Sequence, residues 1–335
     1  MANPLRFRRS DSRWTADRVR AAIRDPLDAN LGVADGPPWF APPDGWSARR
    51  FDVKNGDTAL FCWSDDTEVG YWLGNTETPQ SLWGTDKESF AEAPGSVSTW
   101  AQEEFLAELH DDEPWLAPYE TISWFFLPVL CSKDGRHSTR AFLRDHAMGF
   151  PDTDRDAALR YYEEFLATGV LDEYRHLMAG KLGTSEHVDR TRMRAAMAEF
   201  TVARLLHLAG YEVTPEIDVT TGHSLDYRAS RDGQSTLVEV TRPLPPADRS
   251  ADSPITAIRE TAATKTGGQL ARHGGGATLV VDCSSFGYDA WEQIQTARPE
   301  LGHRPALVFW TRPTCSVEYY DQGKVPLDLA PLVTG

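Results

Sequence analysis

From Asp189 onward the apolar positions switch between a helical and a strand period. Met193, Met197, Phe200, Val202, Leu205, Leu206 and Leu208 give a broad apolar face. They predict a helix that Asp189 or Thr191 starts and Gly210 stops. Strand patterns follow around 211–215, over 224–229 and over 235–241, with a polar turn at 230–234. A second helix is predicted over 254–272, broken by Gly274-Gly275-Gly276, then an apolar strand over 277–282. A helix near 289–297 and a strand over 306–310 complete the series. Helix, three strands, helix, strand, helix, strand predicts an α/β sandwich.

The first half reads differently. A helix is predicted from Trp14 to Arg24, with Ser12 as its cap and Pro26 behind it. A loop rich in Gly and Pro follows, then three short strand patterns at 48–53, 58–63 and 68–73 separated by polar turns. This is a small antiparallel meander, and its aromatics (Phe51, Phe61, Trp63, Tyr71, Trp72) are expected in a core. Helical patterns then run over 98–110, 154–167 and 171–179. The expected organisation is therefore an α+β N-terminal unit over 1–95, a helical segment over 96–185, and an α/β domain over 186–335.

Charge sharpens the division. The chain has 335 residues and a formal net charge of −16, from 50 acidic against 34 basic side chains, only six of them lysine. Residues 1–180 hold 31 of the acidic and 18 of the basic residues, so the second half is much closer to neutral. A cationic coat for nucleic acid is excluded, and the less acidic half is the better candidate for touching a polyanion. The Asp- and Glu-rich, Lys-poor composition resembles that of salt-adapted archaeal cytosolic proteins. The four cysteines (Cys62, Cys131, Cys283, Cys315) are far apart and form no CxxC, so they are expected as small core residues in a reducing compartment. The most apolar run, Ile122 to Leu130, is nine residues; a membrane-spanning helix needs about 20. No membrane segment and a cytoplasmic location are expected.

The chemistry-bearing residues lie in the α/β domain. Asp226 and Glu239 are 13 residues apart across a hairpin whose turn is Asp232-Gly233, which sets them near each other on adjacent strands. A carboxylate inside the apolar run Leu237-Val238-Glu239-Val240 is costly to bury unless it is paired or bound to a cation. Two carboxylates together with phosphate oxygens make a normal magnesium shell. The alternatives are structural: Glu199 paired with Arg192, Arg194 or Arg204, and Glu239 paired with Arg228 or Arg242. No HExxH, GxSxG or GxxxxGK[ST] occurs, which excludes those metalloprotease, esterase and P-loop sites.

The order Glu199 on a first helix, Asp226 on one strand, Glu239-Val240-Thr241 on the next, then Lys265 and Gln269 on a second helix resembles the PD-(D/E)XK superfamily. The resemblance covers about 190–310. It implies a restriction-endonuclease-like fold in which Asp226 and Glu239 bind Mg²⁺ or Mn²⁺. Glu199 would assist, Gln269 would match a polar position of the second helix, and DNA or RNA would be the partner of the C-terminal domain. Thr241 stands where that superfamily has its lysine, so Lys265 is expected to reach the site from the second helix. The same departure leaves open a catalytically inactive binding or scaffold protein. The whole chain also looks like a haloarchaeal family with no established function.

Overall fold

The alternating run from Trp46 to Gly74 becomes the middle of a sheet. The computed structural model describes residues 6–74, 90–132, 135–183, 185–218, 224–246, 253–271, 276–315 and 317–332. The chain forms two units, Met1–His137 and Ser138–Gly335.

In the first unit, strands β1 (Arg6–Ser10), β2 (Val33–Gly36), β3 (Trp46–Val53), β4 (Thr58–Ser64), β5 (Gly70–Gly74) and β6 (Phe90–Glu92) pair antiparallel in the order β2-β3-β4-β5-β1-β6. The expected meander is its centre. One face is covered by a helical stretch made of α1 (Ala16–Val19), a π-turn (Arg20–Arg24) and α2 (Asp25–Leu31). Trp14, Val19, Ile23 and Leu27 pack there on Phe51, Phe61, Trp63 and Trp72. The stretch begins at Thr15 rather than Ser12 and passes through Pro26. The wider π-turn moves Pro26 into the first turn of a new segment, where a missing N–H costs nothing. Gly70 is required by close approach: a Cβ there would lie 2.7 Å from Phe61 Cζ and 3.0 Å from Trp14 Cδ1. The unit continues with α3 (Gly95–Asp112) and α4 (Glu120–Leu130), the latter formed by the most apolar run of the chain.

Helix α5 (Arg136–Asp145) contains the boundary between the units. The second unit adds α6 (Arg155–Leu166), α7 (Arg175–Gly180) and α8 (Arg190–Leu208). Asp189 caps α8 by accepting the Arg192 N–H at 3.1 Å, and Gly210 follows with φ +83°. Strands β7 (Glu212–Asp218), β8 (Ser224–Arg231), β9 (Gln234–Thr241), β10 (Ala277–Asp282), β11 (Ala306–Trp310) and β12 (Glu318–Gln322) form one sheet in the order β12-β11-β10-β9-β8-β7. β9, β10 and β11 run parallel; the outer pairs are antiparallel.

Parallel neighbours need crossovers. These are α9 (Pro254–Lys265), which continues as a π-turn (Thr266–Leu270), and α10 (Tyr288–Ala297). Ala257, Ile258, Ala262, Trp291 and Ile294 from the crossovers share a core with Leu279, Val281, Val308 and Trp310. The Tyr227 hydroxyl donates to the Glu199 carbonyl at 3.1 Å, tying α8 to β8. Helices on a mixed sheet make this an α/β unit. The edge strand β12 has no counterpart in the expected series. The cysteines are free, and Cys62 and Cys283 are buried, but Cys315 is exposed on a turn and is no core residue. Among the described residues no helix is long and apolar enough to cross a membrane.

One buried ion pair locks α8 to the parallel strands. Arg242, just past β9, donates through Nε at 2.9 Å and through Nη2 to Asp282 Oδ2, and both side chains are fully buried. Arg242 also donates to Thr201 of α8 at 3.3 Å, and Asp282 Oδ1 accepts the Ser284 N–H at 2.8 Å. Breaking a buried pair strands the remaining charge. Asp282→Ala is therefore expected to destabilise the second unit by about 3–5 kcal/mol, read from the urea midpoint. A loss below about 1 kcal/mol, the scale of an exposed pair, would contradict it.

Candidate functional site

The site begins with the hairpin. Asp232 and Gly233 both have positive φ (+53° and +75°), which gives the tight two-residue turn that aligns β8 with β9. The register runs Arg231↔Gln234 to Tyr227↔Val238 and brings Asp226 alongside Glu239. On the other side of β8, Pro215 pairs with Tyr227 and Ile217 with Leu225, so Glu216 falls beside Asp226. Three adjacent strands thus carry a row of acids, Glu216, Asp226 and Glu239. Like charges placed directly opposite repel across a sheet; the row runs from half-buried Glu216 and Asp226 to fully buried Glu239.

Two lysines and a fourth acid complete it. Lys265, the last residue of α9, places Nζ 2.5 Å from Glu239 Oε1. Lys181, just past α7, sits with Nζ 2.5 Å from Glu199 Oε2 and also pairs with Glu216 Oε1. Glu199 comes from the middle of α8, and Ser224 donates to Glu216 Oε2 at 2.7 Å. Asp226 Oδ2 accepts the Val240 N–H at 2.7 Å. Carboxylate oxygens of Glu199, Glu216 and Asp226 lie within 4.8 Å of one another. Glu239 is fully buried, and its Oε2 has no hydrogen-bond partner.

The structure brings together Glu199, Asp226, Glu239 and Lys265 as the sequence suggests. Gln269 lies on the π-turn after α9, and its side chain falls outside the described residues, as does His223. Both acids are ion-paired, with partners other than the arginines weighed: Glu199 pairs with Lys181 and Glu239 with Lys265, while Arg242 is committed to Asp282. Sequence reasoning missed Lys181 and Glu216. Their only signal was the scarcity of lysine and an acid beside the β7 proline.

The chain is a member of a family of unknown function (DUF5784), whose profile matches residues 2–329. No curated protein and no solved structure matches the chain.

Burial sets the electrostatics of this DUF5784 site. Burial first, then repulsion from Asp226, pushes Glu199 up to about 8 and Glu239 up to about 7, although each has a lysine partner. Asp226 is raised by burial, which outweighs Lys265 and the Val240 N–H. Glu216 goes the other way: burial opposes its charge, but Lys181 and Ser224 hold it below the ordinary range. Lys181 and Lys265 are raised; burial works against both ammoniums, and their carboxylate partners outweigh it. The cluster wants more positive charge than two lysines supply.

A pH dependence follows with a definite sign. The raised carboxyl groups bind protons in the folded protein that the unfolded chain releases near 4.5. Their contribution to stability is present in acid and is lost as pH rises through about 7 to 8. Glu239→Gln removes one such proton, so its urea midpoint is expected to fall less between pH 6 and pH 8 than that of the wild type. Parallel pH profiles would show that Glu239 is not held protonated.

Proposed function

We propose that the second unit is a metal-dependent phosphodiesterase of the PD-(D/E)XK type that acts on DNA or RNA. The observation that carries this reading is the contact of Lys265 Nζ with Glu239 Oε1 at 2.5 Å, on the hairpin that sets Asp226 beside Glu239. A lysine delivered from α9 supplies the cation that Thr241 does not. The succession of α8, three antiparallel strands, α9 and a parallel β10 also agrees with the restriction-endonuclease-like expectation.

The residues fit a hard divalent cation. The donors are all carboxylate oxygens, which suit Mg²⁺ or Mn²⁺. Glu239 Oε2, buried and unpartnered, is the kind of oxygen such an ion would satisfy. Asp226 and Glu239 would hold it, with Glu199 and Glu216 closing the cluster. Once bound, the ion would lower the pKa of a water and balance charge at phosphorus. Lys265 orients Glu239 and favours its ionised form against the effect of burial, and presents an ammonium to the phosphate. The Val240 N–H fixes the Asp226 carboxylate, and the Glu199 turn of α8 is anchored through Tyr227. The net charge of −16 opposes a polyanion at low ionic strength, so strong salt, with a Debye length of about 3 Å at 1 M, is the proper setting.

A second reading is a non-catalytic binding or scaffold protein, favoured by Thr241 at the lysine position and by Lys181 lodged among the acids. Absence of Mg²⁺ and Mn²⁺ binding at millimolar concentration in calorimetry would select it. The decisive assay is cleavage of single- and double-stranded DNA and RNA with Mg²⁺ or Mn²⁺ in strong salt. Wild type is expected to cut at least one of these. Asp226→Ala and Glu239→Ala are expected to lose more than the roughly 10–100-fold that removing an outer partner of a metal costs. Equal cleavage by all three proteins would remove the proposal.

A further inference from the structure

A cation already stands in the acidic cluster. Lys181 Nζ contacts Glu199 Oε2 at 2.5 Å and pairs with Glu216, and its side chain is only 16% exposed. One carboxylate oxygen from each of Glu199, Glu216 and Asp226 lies within 4.8 Å of the others. Oxygen ligands stand about 2.0–2.6 Å from Mg²⁺ or Ca²⁺, so the ligands on opposite sides of such an ion are about 4–5 Å apart. An ammonium and a metal ion crowded among these same carboxyl groups compete for them and repel each other.

Resting on the reading that this site takes a divalent cation, we propose that Lys181 is a resident counter-ion of the Glu199–Glu216–Asp226 cluster and that the metal enters by displacing its ammonium. Three observations converge. Fully ionised, as metal ligands are, Glu199, Glu216, Asp226 and Glu239 would carry four negative charges, of which Lys181 and Lys265 return two; the remaining two match one divalent ion. Glu239, fully buried next to Asp226, keeps an oxygen without a partner, so the two lysines leave the cluster unsatisfied. Lys181 sits beyond the end of α7, between Gly180 and the left-handed Gly183 (φ +72°), on a four-carbon stem that can withdraw without unravelling a helix. Lys265, by contrast, belongs to α9 and keeps its place beside Glu239.

Glu216 is the residue that makes the exchange specific. It has φ +52° inside β7, a left-handed backbone that favours glycine or asparagine, and it turns its carboxylate to Lys181 and Ser224. Such strain persists only where the surroundings enforce it. Here it sets one acid against the lysine, and against the metal once the lysine has left.

The test compares the full-length wild type with Lys181→Met by calorimetric titration with Mn²⁺. Methionine keeps the apolar stem and removes the competing charge. The variant is expected to bind Mn²⁺ about tenfold more tightly, a difference of about 1.4 kcal/mol, and Lys181→Arg is expected not to tighten it. Equal or weaker affinity in Lys181→Met overturns the inference while leaving the metal reading in place. No binding of Mn²⁺ by either protein overturns both. Amine acetylation of the wild type, read residue by residue by mass spectrometry, does not depend on the variant's folding. Mn²⁺ is expected to raise the labelling of Lys181 several-fold while the exposed Lys54 and Lys324 stay constant. Labelling of Lys181 that Mn²⁺ leaves unchanged or lowers overturns the displacement.

Discussion

Repulsion among carboxylates on adjacent strands is the constraint around which the second unit is organised. Glu216, Asp226 and Glu239 occupy neighbouring places on β7, β8 and β9. In water such a row would cost little, because charges there interact weakly; inside a protein the same charges act through a lower effective dielectric. Every element around the row answers this cost. The segment after α7 brings Lys181, α9 ends in Lys265, Ser224 donates to Glu216, and the β9 backbone donates to Asp226. Glu199 adds a fourth acid where a stability-driven design would place an apolar side chain. A fold under pressure for stability alone has no reason to keep that arrangement.

The parts of this site that were legible in the sequence are those fixed by local chemistry. Asp232-Gly233 specifies a two-residue turn, and a two-residue turn fixes register. Register then sets Asp226 beside Glu239 without any tertiary information. Helix α8 was equally readable, because Asp189, the apolar stripe and Gly210 mark its start, face and end. Lys265 was expected only through the resemblance to the PD-(D/E)XK superfamily, as a lysine relocated to the second helix.

What was not legible depends on tertiary packing. Lys181 lies between α7 and α8, in a stretch with no periodicity, and meets Glu216 only because α8 packs against β7 at the edge of the sheet. Glu216 lies just past the 211–215 strand pattern, and nothing in its chemistry announces a left-handed backbone. The same distinction runs through the first unit. The central meander of β3, β4 and β5 alternates clearly, whereas β1 is largely arginine and β2 is four residues on a sheet edge. Pairing, not pattern, makes them strands. Pro26 misled for a related reason: a proline ends a regular α-helix, but a π-turn ahead of it resets the hydrogen-bond register.

The chain's choice between its two long cations carries the argument one step further. Only six of its 34 basic residues are lysine, yet both cations paired with the acidic cluster are lysines. A few residues away on the same sheet, the permanently buried partner of Asp282 is an arginine, fully enclosed and donating from two nitrogens. Guanidinium suits a fixed, planar pairing that never has to open, and ammonium is a compact charge on a flexible stem that can shift between oxygens. Where the second unit needs a locked joint it uses Arg242, and where it holds an excess of negative charge it uses Lys181 and Lys265. That division places the adaptable cations at a buried cluster of four acids whose formal charge they do not balance.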